Sequence, residues 1–397
     1  MMEFPLSEYT ARVDKLVAQL KAASCDAVLL TVEENLRYFF GYRSCAWSSQ
    51  YECPAMALVT REGRIALITS ERRRGTAEST SCLDPEEILV YSGFGHQAFP
   101  ETIVPALTDA LQRLGAAKGR LGTETGAASR MRITYRDYRG LFSALPALTA
   151  VDFSKYILQI RQIKSPLELA VIRECCGIAV EAFRLAMDKV RVGETTEEDM
   201  CRDYMTACFD LGADDIEYLL IVEFGPHRRQ PNCMPGTQVY ERADWCVFFD
   251  TGPSLKGYIT DIIRIGMLAK PTPAQQAFYD ISLACHRYCM EKVRPGVTIG
   301  EIVAAHDAFM RSRGVADICQ TMRGGGHGVG LDVHEFPIIK GTFADTEFRA
   351  GMVFAFEPTI IHPEEGQLVL ENNYLVTEDG CECLSPALQD MYVPGRQ

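Results

Sequence analysis

Apolar residues recur at two periods along the chain, and the changes of period divide it. From Ser7 to Ala23, Val13, Leu16, Val17 and Leu20 fall on one stripe of a 3.6-residue repeat, which predicts an amphipathic helix. The continuous run from Ala27 to Val32 predicts a buried strand. Met56–Val59 and Ile65–Ile68 predict two more strands, joined through the turn Arg61-Glu-Gly-Arg64. A helical pattern near 102–114 and a strand-like Arg120–Thr123 follow. Such alternation predicts a small α/β domain ending near residue 150.

A long helical pattern opens the second part. Leu169, Ile172, Cys176, Ala179, Phe183 and Met187 keep helical spacing behind Pro166, with Ser165 as the expected cap. A weak internal repeat comes next. Val190-Arg-Val-Gly193 precedes Thr195-Thr-Glu-Glu-Asp199 and a helix ending near Gly212, and Val293-Arg-Pro-Gly296 precedes Thr298-Ile-Gly-Glu301 and a helix ending near Gly314. Thr196 with Asp199 resembles a capping box, and Thr298 with Glu301 fits one better. Each copy leads into strands bearing acids. In the first, Trp245–Asp250 turns through Pro253–Gly257 into Tyr258–Asp261; in the second, Met352–Glu357 leads by a longer connection to Leu368–Glu371. Two such units predict two halves related by pseudo-symmetry, with a site where they meet.

These acids carry the candidate chemistry. Asp250, Asp261, Glu357 and Glu371 each sit beside strongly apolar runs, where an isolated carboxylate is costly to bury and neighbouring carboxylates repel. A bound cation relieves both costs, so four acids in matched places point to a multi-carboxylate metal cluster, although any one of them alone reads more readily as a strand-end or turn residue. His327 lies in Gly324-Gly-Gly-His-Gly-Val-Gly330, where glycines permit close backbone approach around a fixed imidazole. No Lys-Ser/Thr follows, so this is no phosphate loop, and it does not match a dinucleotide fingerprint. His334-Glu335 opens no HExxH helix, because Ile338 stands at the last position.

Composition narrows the class. The 397 residues are 47% hydrophobic and 23% charged, with a formal net charge of −13, a normal globular balance. The only short basic runs noted are Arg72-Arg73-Arg74 and Arg228-Arg229, which argues against nucleic-acid or anionic-membrane partners. Fifteen scattered cysteines form no zinc-ribbon spacing and read as reduced thiols of a cytoplasmic protein. The N-terminus lacks a basic, apolar leader pattern, and no stretch reaches the length of a membrane span, so neither a signal peptide nor a transmembrane helix is expected.

At these residues the chain resembles the creatinase/prolidase/methionine aminopeptidase superfamily, the pita-bread metallopeptidases, and is most similar to Xaa-Pro dipeptidase-like members. Asn35-Leu-Arg-Tyr-Phe-Phe-Gly41 resembles the N-domain motif, and Arg161-Gln-Ile-Lys-Ser-Pro-Leu-Glu168 resembles the opening of the catalytic domain. Asp250-Thr-Gly, Thr260-Asp261, Gly326-His-Gly-Val-Gly-Leu-Asp-Val-His334-Glu, Phe356-Glu-Pro358 and Glu371 fill the five ligand positions in order. The resemblance implies an α+β architecture: a small α/β creatinase-type N-terminal domain (1–155), then a pita-bread catalytic domain (156–397) with pseudo-two-fold symmetry and a curved antiparallel sheet. It further implies a homodimer and two divalent ions, usually manganese, cobalt, zinc or iron. Asp250 would hold one ion, His327 and Glu357 the other, and Asp261 and Glu371 both. A bridging water would then be activated to cleave an amide bond, with Glu357 as general base and acid and His334 as hydrogen-bond donor to the carbonyl or tetrahedral intermediate. An intact ligand set argues against a metal-free member such as creatinase itself, and against a non-catalytic binding relative.

Two departures bear on substrate. Prolidase-like members carry a histidine about a dozen residues before the first acidic turn; Asn232 stands there, with His227 five residues upstream as a substitute. Ile338 replaces the arginine that follows the second histidine motif in many dipeptidases, and Arg228, Arg229 or Arg323 could supply that charge instead. Trp47 and Tyr51 lie on a loop that, in this superfamily, often reaches a neighbouring subunit's pocket; local packing is the alternative. The substrate is therefore either a dipeptide or a small non-peptide solute, as in ectoine-type ring hydrolases, creatinase-like C–N hydrolases and dimethylsulfoniopropionate lyases.

Overall fold

The computed structural model describes residues 2–48, 54–91, 103–126, 129–216, 220–229 and 234–395. The chain forms two compact units, Met1–Ile160 and Arg161–Gln397.

The first unit opens with α1 (Leu6–Ala22), β1 (Ala27–Leu30) and α2 (Glu33–Phe40). The buried stripe of α1 is Tyr9, Arg12, Leu16 and Leu20, so Val13 and Val17 flank the buried face instead of centring it. Arg12 replaces an aliphatic residue there because its guanidinium lies over Tyr38 at 4.3 Å and Phe4 at 4.8 Å and donates to the Tyr38 carbonyl. Strand β1 stops two residues short of the apolar run. The buried Glu124 carboxylate accepts from the Thr31 and Val32 N–H groups and from the Asn35 side chain, drawing the backbone out of the ladder and into α2. Gly41, at φ 74°, ends α2 close under Tyr9. There follow β2 (Ala55–Thr60), β3 (Ile65–Ser70), α3 (Arg74–Thr80), β4 (Ile88–Tyr91), α4 (Val104–Arg113), β5 (Gly119–Thr123), α5 (Tyr135–Ala144), β6 (Leu148–Asp152) and α6 (Ser154–Arg161). The strands form a mixed six-stranded sheet in the order β4-β3-β2-β1-β5-β6.

The second unit begins with α7 (Pro166–Lys189) and α8 (Glu197–Asp210), capped by Ser165–Glu168 and Thr196–Asp199 boxes. Strands β7 (Ile221–Phe224), β8 (Val247–Thr251), β9 (Ser254–Leu255), β10 (Tyr258–Ile259) and β11 (Ile262–Gly266) follow. A second helix pair, α9 (Pro273–Met290) and α10 (Ile299–Ser312), then leads into β12 (Gly324–Gly328), β13 (Glu335–Lys340) and β14 (Val353–Phe356). The chain closes through β15 (Ile361–His362), β16 (Gly366–Gln367), β17 (Asn372–Val376) and β18 (Cys381–Cys383). Both α9 and α10 carry capping boxes, at Thr272–Gln275 and Thr298–Glu301.

The repeat seen in sequence is realised strand for strand. Antiparallel β7-β8-β11 follow α7 and α8, and β12-β14-β17 follow α9 and α10, with β13 and β18 added at the outer edges. The two sheets meet where the Glu371 N–H donates to the Ile263 carbonyl at 3.3 Å. Arg264, fully buried, donates across the seam to the carbonyls of Glu371, Ser385 and Ala387. Asn373 and Asp261 exchange hydrogen bonds there as well. One expectation is corrected here. Leu368–Glu371 does not form a strand, although it is fully buried. Its N–H groups are drawn elsewhere, Leu370 to the Ser282 hydroxyl and Glu371 to Ile263, and the ladder resumes only at Asn372.

Candidate metal centre

Each acid leaves the sheet at a corresponding point. Asp250 is the penultimate residue of β8, and Glu357 immediately follows its counterpart β14; Asp261 directly precedes β11, and Glu371 directly precedes β17. His327 lies in β12, clamped between β13 and β14. The surrounding glycines serve this packing. A Cβ on Gly326 would come within 2.2 Å of the Ala355 carbonyl oxygen, and one on Gly328 within 2.2 Å of that of Phe336.

The five side chains converge. His327 Nε2 lies 3.5 Å from Asp261, 3.7 Å from Glu357 and 4.0 Å from Glu371. Three sets of donor atoms each cluster within 4.8 Å: Asp250, Asp261 and Glu371; His327, Glu357 and Glu371; and Asp261, His327 and His334. Glu371 belongs to the first two, and Asp261 to the first and third. His334 stands before β13 with its ring 4.1 Å from that of His327.

Electrostatically, this arrangement is costly as protein alone. Burial, then the charges of Asp250 and Glu357, push the Asp261 carboxyl well above the usual range. Burial, then Asp261, Glu357 and Asp250, do the same to Glu371. Burial raises Glu357 to about 7, against the lowering influence of Lys340 and Thr359. Burial and the neighbouring His334 lower His327 to about 3, so its ring is neutral. Nδ1 faces the Gly328 carbonyl at 3.2 Å, which assigns the proton to that nitrogen and leaves the Nε2 lone pair directed at the acids. Asp261 Oδ1 and Glu371 Oε1 are buried with no hydrogen-bond partner among the described residues. Repelling buried carboxylates, orphaned oxygens and a lone pair aimed among them fit a divalent cation of the kind carboxylate–imidazole sets bind.

Two neighbouring features escaped the sequence reading. Glu335 is buried between Arg161, at 2.5 Å, and Lys164, at 2.6 Å. Burial alone would raise its carboxyl, but Lys164 and Arg161 together hold it below the ordinary range. All three residues sit in the quoted motifs, yet their pairing spans over 170 positions of chain, a contact no local pattern encodes. Behind Glu357, the Thr359 hydroxyl donates to the Glu357 carbonyl, and the Thr359 N–H donates to Thr321, which contacts His306 at 3.4 Å. Only isolated polar residues among apolar ones could have signalled this chain.

The expected substrate residues are dispersed. His227 follows β7, with Nδ1 held 3.0 Å from both oxygens of the fully buried Glu197. Trp47 is buried, edge-on to Tyr42 with ring centroids 6.4 Å apart. Asn232 and Tyr51 fall outside the described residues. Arg228 is buried 3.6 Å from Glu365, while Arg323 lines a cavity of about 660 Å³ together with His327, His334, Ile338, Lys340 and Glu357.

The chain belongs to metallopeptidase family M24, whose family model matches residues 170–378, and that of the creatinase/prolidase N-terminal domain matches residues 12–163. It is thus a metal-dependent peptidase or hydrolase. Among its relatives, an uncharacterized peptidase of Staphylococcus saprophyticus is 25% identical over 376 residues, 94% of this chain and 99% of the relative. YkvY of Bacillus subtilis, a candidate dipeptidase, is 25% identical over 96% of this chain and 99% of its own. In fold the chain is similar to an Xaa-Pro dipeptidase from Bacillus anthracis, with a TM-score of 0.82, 24% identity and coverage of 97% and 99% of the two chains.

Proposed function

We propose that this protein is a dinuclear metallopeptidase of the Xaa-Pro dipeptidase or aminopeptidase type, cleaving an amide bond in a short peptide. The observation that carries the reading is the sharing of Glu371 between two donor clusters, with Asp261 also common to two. Asp250 would hold one ion, His327 and Glu357 the second, and Asp261 and Glu371 both. Four ionised carboxylates carry the charge that two divalent ions neutralise, which supports two ions over one. Manganese, cobalt, zinc and iron suit this donor set. When bound, the ions supply Lewis acidity, acidifying water and polarising a carbonyl oxygen.

The chain's own groups do the rest. Glu357, partly exposed at the cavity, would take a proton from water and pass it to the departing amide nitrogen. His334, on the cavity wall, would donate a hydrogen bond to the carbonyl oxygen as charge develops there. The Glu197 carboxylate holds Nδ1 of His227, leaving Nε2 for a second contact to substrate, to which Asn232, five residues on in sequence, would add. A cytoplasmic homodimer, with Tyr51 reaching a neighbouring subunit's pocket, completes the proposal, while Trp47, buried against Tyr42, follows the local-packing alternative.

The apolar wall at Ile338 favours a second reading, an enzyme for a small non-peptide solute. Turnover of Xaa-Pro dipeptides, ectoine and dimethylsulfoniopropionate with added manganese separates the two. Cleavage of a proline dipeptide is expected; turnover of none would end the first reading. Metal analysis of the reconstituted protein should give two equivalents per chain, and a single equivalent would refute the dinuclear assignment.

A further inference from the structure

Asp261 and Glu371 each belong to two donor clusters, and neither is held by the ladder of its own strand. The first pair of β8 with β11 is Thr251 and Ile262, and the first pair of β14 with β17 is Phe356 and Asn372. Each acid therefore stands one residue outside its own strand pair, where its backbone groups need other partners. They find them on each other's strand. The Glu371 N–H donates to the carbonyl of Ile263, two residues beyond Asp261. The return contact comes from Asn373, two residues beyond Glu371. Its Oδ1 accepts the Asp261 N–H at 3.2 Å, and its Nδ2 donates to the Asp261 carbonyl. This is a ladder step with a side-chain amide in place of a peptide.

The two halves of this exchange differ in what a substitution can alter. Any residue at 263 offers a carbonyl, but only an amide of this length presents a donor and an acceptor together at 373. Its orientation is fixed by chemistry, since a peptide N–H can only donate and a carbonyl oxygen can only accept. Asn373 is fully buried and its own backbone is secured, the N–H by the Ser385 hydroxyl at 3.1 Å and the carbonyl by the Leu384 N–H at 2.8 Å. The Cys176 thiol of α7 donates to its Oδ1 at 3.6 Å. Within the sheet Asn373 pairs with Ala355, which pairs in turn with His327. One row across the sheet thus runs from His327 to Asn373 and, through the amide, to Asp261.

We propose that Asn373 is a positioning residue of the candidate metal centre, its amide fixing Asp261 relative to Glu371 and His327 so that a divalent cation meets donors at a preset spacing. The role rests on the metal-centre reading for the cation, but not for the bonds. Glutamine would be one methylene too long for the two-bond contact, and aspartate would lose the donor.

The test is calorimetric titration of the stripped full-length protein with manganese alone, beside melting curves in chelator. Asn373→Ala is expected to weaken manganese binding about 10- to 100-fold, the range for losing a group that orients a ligand. Asn373→Thr, which keeps the bulk but cannot span both bonds, should do the same and serves where alanine fails to fold. Asn372→Ala is the comparator, because its buried side chain bonds Arg264, Ser385 and Tyr374 at the same seam and, among the described residues, not Asp261. It should lower the melting temperature as well, yet leave manganese affinity close to that of the wild type. A folded Asn373 variant that binds manganese as tightly as wild type overturns the proposal. Equal weakening in Asn372→Ala also overturns it, since any loosening of the seam would then suffice, as does failure of both Asn373 variants to fold. The ion count is read separately. One equivalent per wild-type chain ends the dinuclear reading, while the change in that single affinity still decides the role of Asn373; no binding at all ends both.

Discussion

Glu371 is the residue on which the site turns, because it combines complete burial, an orphaned oxygen and membership of two donor clusters. Its substitution should therefore have opposite effects on the loaded and stripped protein. Glu371→Gln is expected to lower kcat by about a thousandfold or more, since on the proposed dinuclear reading both ions would lose a ligand. In chelator it should raise the melting temperature relative to wild type, because one of several repelling buried charges is gone. Each kcal/mol recovered corresponds to about 2–4 °C in a domain of this size. A variant that melts lower than wild type in both conditions would show that Glu371 stabilises the fold irrespective of metal. The four acids stood out in sequence because acids beside apolar runs are anomalous, and His327 because of the glycines around it; the five became one ligand set only through the family resemblance. Glu335 was not, since a buried glutamate next to a histidine reads as surface until Arg161 and Lys164 arrive from far upstream.

At the level of elements, the helix starts were the most readable feature. The Ser165–Glu168, Thr196–Asp199 and Thr298–Glu301 boxes all form, because a cap is decided within four residues. Leu368–Glu371 misled for the opposite reason: its apolar character is real, but Ser282 and Ile263 are remote in sequence and take its N–H groups. Strand β12 owes its seat to glycine, so Gly326→Ala should force it away from Ala355 and displace His327. The expected result is a loss of about 1–3 kcal/mol with weakened metal affinity; calorimetric titration with manganese checks it, and unchanged affinity would count against this role. Glu335→Gln leaves two cations buried without their carboxylate, which should cost about 3–5 kcal/mol in chemical denaturation. His286→Phe strands the Leu370 carbonyl and leaves the Tyr374 hydroxyl only its longer bond from Asn372, each now 2.8 Å from the imidazole, at a cost of about 2–3 kcal/mol. Burial lowers His286 to about 3, so its neutral form contributes stability that is present above the unfolded value near 6.5 and lost as pH falls below it. The variant should lack that acid-side loss, seen as a flatter melting temperature between pH 6.5 and 4.

For the whole molecule, metal and pH act on the same groups with opposite sign. In chelator, Asp261, Glu371 and Glu357 bind more protons folded than unfolded, because their folded values are raised. Stability of the stripped protein should consequently fall as pH rises from 6.5 to 8.5, a window above the histidine contributions. With manganese the fall should vanish, since the ions compete with those protons, and a free concentration 100-fold over Kd adds about 2.7 kcal/mol per site. Melting curves with and without chelator decide this, and parallel pH profiles would contradict it. The architecture itself was legible partly from the duplicated helix–strand pattern and mainly from the family resemblance. The seam was not, because Arg264 binds through carbonyls that any sequence possesses.

That seam makes the centre a clasp. Asp250 and Asp261 are contributed by the first half of the duplicated unit, and His327, Glu357 and Glu371 by the second. An ion seated among them ties together stretches of chain that are distant in sequence, and such closures are paid for late in folding. Metal should therefore act as a latch on an already assembled molecule, slowing its opening far more than it hastens its formation. Chelation would then shorten the lifetime of the native state while leaving its refolding rate almost unchanged.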